Sequence, residues 1–218
     1  MSQKISCEVL DRLTKFFEGT PSPTALAKNP TWHATPFTVL ISTVLSQRNR
    51  DEITYAASEK LFARYPGPAE LMNADLEELN ELISNVNFHF NKAKAIKEIA
   101  RILCEDYGGE VPKDINELVK LPMVGRKTAN CLLGYAYHIA SICVDTHVHR
   151  ISNRLGLVNS KTPEETEMQL QTAVPKTRWL EINDLFVRFG QEVCTPQRPK
   201  HEQCPLQDLC LEFKKEVK

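Results

Sequence analysis

Leu121-Pro122-Met123-Val124-Gly125-Arg126-Lys127-Thr128-Ala129-Asn130 reads as helix, hairpin, helix. Pro122 ends the first helix, since proline lacks an N–H and its ring clashes with the preceding turn. Gly125 permits a sharp backbone and opens the second helix. The N–H groups of that first turn have no partner inside the helix and point outward with the positive end of its dipole. A phosphate finds a sequence-independent site there, reinforced by Arg126. An ordinary αα-hairpin also begins this way. The continuation Arg126-Lys127-Thr128-Ala129 favours phosphate binding.

Working outward, the periodicity is helical almost throughout. Leu10, Leu13, Phe16 and Phe17 form a stripe closed by Gly19 and Pro21, and a looser connection runs from Pro21 to Pro36. Phe37 to Leu45 is apolar nearly all round, which predicts a helix buried within a bundle. Asp51 is placed to cap a helix that stops before Pro66-Gly67-Pro68. Ala69–Met72, Leu76–Ile83 and Asn91–Asp106 follow, the last ending at Gly108-Gly109. Ile115–Leu121 and Lys127–Tyr137 flank the hairpin, and Thr146–Leu155, Pro163–Ala173 and Trp179–Phe189 complete the series. Ile142–Val144 is strand-like but too short to build a sheet. The reading is all-α, with about ten short helices and no internal repeat.

The 218 residues carry 27 Lys+Arg against 28 Asp+Glu, a net charge of −1 that excludes a histone-like polycation but not a local basic face. Between Lys120 and Arg154 the charges are Lys120, Arg126, Lys127, Arg150 and Arg154 against Asp145, or +4. Asp75, Glu77, Glu78 and Glu81, and later Glu164, Glu165 and Glu167, compensate elsewhere. Charge runs are usually solvated faces, but this one contains the hairpin. No apolar run nears the ~20 residues that span a bilayer, so no membrane association is expected. Met1 to Cys7 shows no basic start followed by an apolar stretch, so no secretion signal is expected and the location is expected to be cytoplasmic. Of seven cysteines, Cys7, Cys104, Cys131 and Cys143 read as small core residues, while Cys194, Cys204 and Cys210 crowd into one Pro-containing stretch.

Residues 121–130 resemble the helix-hairpin-helix of the endonuclease III family of DNA glycosylases. Val144-Asp145-Thr146-His147, with Asp145 eighteen residues beyond Lys127, looks like that family's V-D-T-H segment. Leu45-Ser46-Gln47-Arg48-Asn49-Arg50-Asp51 is similar to its L-S-Q-x-T-x-D segment. Cys194, His201, Cys204 and Cys210 keep the spacing of its C-x6-C-x2-C-x5-C iron–sulfur loop, with His at the second ligand. The resemblance covers nearly the whole chain in the family's order. It implies two all-α domains: a central one over 27–137, and a second of 1–26 with 138–218 that carries the metal loop at 194–210. Lys127 and Asp145 would lie on the two sides of a cleft between them. It also implies a base-excision-repair glycosylase and AP lyase. The substrate would be duplex DNA with an oxidised or ring-saturated pyrimidine or an abasic site, and the enzyme a monomer, nucleoid-associated in a prokaryote.

The implied chemistry suits the residues. A lysine is protonated near neutrality; Arg126 and a helix N-terminus both disfavour the charged form of Lys127. By resemblance its amine attacks C1′, the base departs, and β-elimination follows from the Schiff base. Asp145 stabilises the oxocarbenium-like sugar. A simple phosphate contact for Lys127 and an N-cap for Asp145 are the plainer roles. The target base must be flipped out and its gap filled. Gln47, Arg48 and the loop Val86-Asn87-Phe88-His89-Phe90 are the segments the resemblance puts on the DNA, with His89 the more exposed residue and Phe88 and Phe90 equally suited to core packing. Asn87 stands at the family's usual glycine and would tolerate a left-handed backbone. Val124, Gly125, Arg126 and Thr128 would bind DNA at the hairpin, and Arg198 and Lys200 from the metal loop. Met123 replaces the first glycine of the family's L-P-G-V-G, which restricts the backbone beside the phosphate.

His33 and His138 read as structural. Cys194, His201, Cys204 and Cys210 suit a [4Fe-4S] cluster or, as a Cys3His set, zinc. Two other readings stay open: a thymine/uracil–guanine mismatch glycosylase, and a non-catalytic DNA-binding or redox-sensing protein.

Overall fold

The computed structural model describes residues 3–20 and 35–216. Among them are twelve α-helices, two short 3-10 turns (Lys176–Arg178 and His201–Gln203) and no strand. Two compact units result, one of Thr24–Ile139 and one of Met1–Pro23 with Ala140–Lys218. The expected start of the central domain near Ala27, and His33, lie outside the described residues.

The unit of residues 24–139 is built around α2 (Pro36–Ser46). Thr35 and Thr38 form a capping box around Pro36, which sets where this helix starts. Phe37 to Leu45 are all buried. The hydroxyls of Ser42 and Thr43 donate back to the Val39 carbonyl at 3.1 and 2.6 Å, so the polar side chains enter the core satisfied. Around α2 pack α3 (Asp51–Arg64), α6 (His89–Asp106) and α8 (Arg126–Tyr137). Leu40, Ile41 and Leu45 are fully enclosed, each stabilising the unit by roughly 1.5–3 kcal/mol. The short α4 (Pro68–Met72) and α5 (Leu76–Leu82) cover α6, and α7 (Ile115–Leu118) leads into α8.

The other unit packs α1 (Gln3–Phe16), α9 (Thr146–Leu155), α10 (Pro163–Ala173), α11 (Trp179–Glu192) and α12 (Leu211–Glu216). Leu10, Leu13, Val148, Ile151, Phe186 and Phe189 form its centre. Asp145 and Thr162 cap α9 and α10 with their side chains. Among the described residues no helix is long and apolar enough to cross a membrane.

Several expectations change. The N-cap of α3 is Arg50, and Asp51 sits in the first turn. There its charge complements the helix dipole. The helix before the hairpin ends at Leu118, three residues short of Leu121, and two turns carry the chain to Pro122. Gly125 is extended, at φ −88°, and a Cβ there would meet nothing within 4 Å. The left-handed residue of the hairpin is Met123, at φ 59°. Cys131 and Cys143 are buried as expected, whereas Cys7 and Cys104 are half-buried.

Candidate functional site

The hairpin presents α8 with Gly125 as its N-cap and no side chain capping it. Arg126 and Lys127 are exposed on the first turn, beside exposed Gly125. Val124 is buried in the core and its N–H donates to the Leu121 carbonyl at 3.1 Å. Thr128 is also buried, with its hydroxyl 3.5 Å from the Gln47 amide. Of the residues expected to bind DNA at the hairpin, Gly125 and Arg126 are exposed, whereas Val124 and Thr128 are buried. Thr128 faces inward because an α-helix that packs on α2 must bury one stripe, while Val124 lies before the helix in the turn closed onto Leu121.

The Gln47 amide also donates to the Met123 carbonyl at 2.8 Å, tying the turn after α2 to the hairpin. Arg48 in that turn is exposed and left-handed, at φ 58°. Its carbonyl accepts from Asn87 Nδ2 at 2.7 Å, and the Asn87 N–H donates to Asn49 Oδ1 at 2.9 Å. Asn87 thus serves as a side-chain strut. The left-handed position of its loop is Phe88, at φ 59°. Phe88 and Phe90 are 55% and 49% exposed, so neither is a core residue. The Arg48 guanidinium lies 5.7 Å from the Phe88 ring centre and the Lys94 ammonium 4.3 Å from that of Phe90. His89, expected to be the exposed residue, is half-buried with Nδ1 at 2.6 Å from Asn80 Oδ1.

In the unit of α9, Asp145 caps that helix, accepting from the Val148 N–H at 2.8 Å. Two arginines of the basic stretch turn away from the solvent. Arg150 donates to the Cys194 carbonyl at 2.9 Å, and Arg154 to the Thr195 and Pro196 carbonyls, each at 2.8 Å. Lys120 is held by Glu117 at 2.7 and 2.8 Å. Three of the five cations thus serve structure, and the basic face contracts to Arg126 and Lys127. Gly190 is required beside this cluster, because a Cβ there would strike His147 Nδ1 and come within 2.9 Å of Arg150 Nη2.

Cys194, His201, Cys204 and Cys210 line one cavity together with Arg154 and Phe213. Each sulfur has an N–H donor beside it: Arg154 Nη1 to Cys194 at 3.5 Å, the Leu206 N–H to Cys204 at 3.4 Å, and the Phe213 N–H to Cys210 at 3.5 Å. Such donors stabilise thiolate ligands, so this donor set fits an iron–sulfur cluster. Burial raises the Cys204 thiol above the ordinary thiol range. The His201 ring lies 4.8 Å from that of Phe213. Among the described residues no three His, Cys, Asp or Glu side chains already stand at metal-holding separation. Arg198 and Lys200 are exposed on the loop.

Residues 41–176 match the model of the HhH-GPD superfamily of base excision DNA repair proteins, and residues 194–210 that of the iron–sulfur binding domain of endonuclease III. Endonuclease III of Thermotoga maritima is 51% identical over 183 residues, spanning 84% of this chain and 86% of the relative. The chain belongs to the endonuclease III family. The family's Bacillus subtilis endonuclease III is 40% identical over 85% of each chain. A trapped endonuclease III–DNA covalent intermediate superposes with a TM-score of 0.88 at 35% identity, covering 100% of both chains. A thermostable thymine-DNA glycosylase shares the fold, with a TM-score of 0.83 at 23% identity over 97% and 98% of the two chains. As an endonuclease III family member the protein is a base excision repair DNA glycosylase with AP lyase activity, and its 194–210 loop is an iron–sulfur binding domain.

One residue of this endonuclease III family chain escapes motif reading. Lys92 is 1% exposed, with Nζ donating to the Leu45 and Gln47 carbonyls at 2.8 and 2.6 Å. Its signal is helical spacing: Lys92, Ile96, Ile99 and Leu103 share the buried stripe of α6.

Proposed function

We propose that this enzyme removes oxidised or ring-saturated pyrimidines from duplex DNA and cleaves the resulting abasic site, with Lys127 as nucleophile. The carrying observation is Lys127 itself: exposed, on the first turn of a helix without a side-chain cap, beside Arg126. The neutral amine attacks C1′ of the flipped nucleotide and the base leaves with the glycosidic electron pair. A proton passes from the new nitrogen to O4′ as the C1′–O4′ bond opens, giving the iminium. The iminium acidifies the C2′ hydrogen, and loss of that proton breaks the C3′–O bond and expels the 3′ phosphate by β-elimination. Asp145, a carboxylate held by its capping bond to α9, stabilises positive charge developing on the sugar. Gly125 and Arg126 receive a backbone phosphate, as do Arg198 and Lys200. Gln47 and Arg48 fill the gap left in the stack, with exposed Phe88 beside them.

Cys194, His201, Cys204 and Cys210 would hold a [4Fe-4S] cluster; zinc in the same Cys3His set is the competing occupant. Ligation supplies folding energy to a loop with little core of its own. Iron analysis and visible absorbance separate the two metals. The protein acts as a monomer in the cytoplasm, on the nucleoid in a prokaryote.

The test incubates metal-loaded protein with an abasic-site duplex and a thymine-glycol duplex, then adds borohydride. A covalent protein–DNA adduct is expected, and it disappears in Lys127→Ala. No adduct and no nicking from the parent protein refutes the lyase assignment.

A further inference from the structure

We propose that Lys92 is a positioning residue: its buried ammonium caps the C-terminal end of α2 and holds the Gln47–Arg48 turn in the shape that enters the duplex. This rests on the reading of Gln47 and Arg48 as the gap-filling residues.

The last carbonyls of a helix lack partners and carry the negative end of its dipole. The last turn of α2 contains no basic residue of its own. Lys92 supplies the missing cation from α6, bonding the Leu45 carbonyl at 2.8 Å and that of Gln47 at 2.6 Å. Asn49 Nδ2 adds a second donor to the Leu45 carbonyl at 2.7 Å. The next carbonyl along, that of Arg48, is taken by Asn87 Nδ2. The turn is thus pinned at three carbonyls, those of 45, 47 and 48, by side chains from outside it or from its far end. Such pinning is what a left-handed, non-glycine Arg48 needs, because that conformation does not persist unaided.

The plain alternative is that Lys92 merely fills core space. A methionine would fill that space without the cost of burying a charge. Among the described residues no carboxylate pairs with the ammonium, so its two carbonyl acceptors are what it is there to hold. Burial brings the ammonium down to about 8, which leaves it protonated and donating near neutral pH.

The experiment compares kcat/KM for nicking an abasic site in a duplex and in the matching single strand, where no stack needs filling. Lys92→Met is expected to lose about 10- to 100-fold on the duplex, the effect of removing hydrogen bonds to a charged group, and less than about threefold on the single strand. Equal losses on both, or none, overturn the proposal. Asn87→Ala, on an exposed strut, is expected to show a smaller loss confined to the duplex, and it decides the matter if Lys92→Met does not fold; parent-like behaviour there overturns it. Arg48→Ala separates the two claims. If it alone shows duplex-selective loss, the role of Lys92 falls and that of Arg48 stands. If Arg48→Ala keeps the parent's ratio, the gap-filling assignment fails and the proposal with it.

Discussion

Met123→Gly is expected to stabilise this protein by up to about 1 kcal/mol. Met123 sits at φ 59° in the hairpin, 40% exposed, with its carbonyl held by Gln47. A side chain in the left-handed region costs roughly 1–2 kcal/mol through the clash of Cβ with the following carbonyl. Glycine removes that cost but adds about 0.5–1 kcal/mol of unfolded-state entropy. At 40% exposure part of the methionine side chain is covered, and the burial it loses offsets part of this gain. The balance is a gain of up to about 1 kcal/mol, or a Tm rise of at most about 2–4 °C for a chain of this size. Gly125→Ala is the control. Gly125 is extended and open at its Cβ position, so alanine there is expected to change stability by less than about 0.5 kcal/mol. Urea and thermal unfolding of both variants read the difference directly. A Met123→Gly variant less stable than the parent, or a Gly125→Ala variant that loses more than about 1 kcal/mol, refutes the backbone reasoning. Should Gly125→Ala fold normally yet bind DNA more weakly, the second glycine serves the approach of the phosphate.

Other outcomes follow from the same geometry. Gly190→Ala is expected to destabilise by about 1–3 kcal/mol, because the new methyl displaces His147 and Arg150; denaturant melts check this. Arg154→Met removes the donors to the Thr195 and Pro196 carbonyls and to the Cys194 sulfur, and is expected to weaken metal retention roughly 10- to 100-fold against a chelator, read as iron per chain. Lys92 gives a pH signature. Its folded value is lowered to about 8 by burial while the unfolded chain keeps the ordinary 10.5, so the unfolded state binds more protons between those values. The parent therefore gains stability relative to Lys92→Met as pH rises from about 8 to 10.5, and an opposite slope in paired urea titrations would exclude this origin.

Helix existence was legible because caps and stripes are local. Asp145 and Thr162 mark α9 and α10, whose bounds agree with their periodicity to the residue. The inward faces were less legible. Arg150 and Arg154 read as a basic surface until α9 meets carbonyls more than 40 residues downstream. Val124 and Thr128 belong to a binding motif by sequence but to the core by packing. The left-handed positions moved as well: glycine spacing pointed to Gly125 and Asn87, whereas the backbone turns at Met123 and Phe88. Residue identity is only a proxy for φ, and Asn87 spends its side chain on Arg48 instead.

The enclosure of α2 has a consequence in time. A helix buried from Phe37 to Leu45 opens to solvent only when its whole unit unfolds, so its amides should be among the slowest in the protein to exchange with deuterium. The turn bearing Gln47 and Arg48 grows directly from the end of this slowest element. The ordering entropy of the turn is therefore spent during folding, not at the encounter with DNA. In the gap-filling role proposed for Gln47 and Arg48, the turn would meet each stretch of duplex as a stiff probe, at no fresh entropic charge per trial.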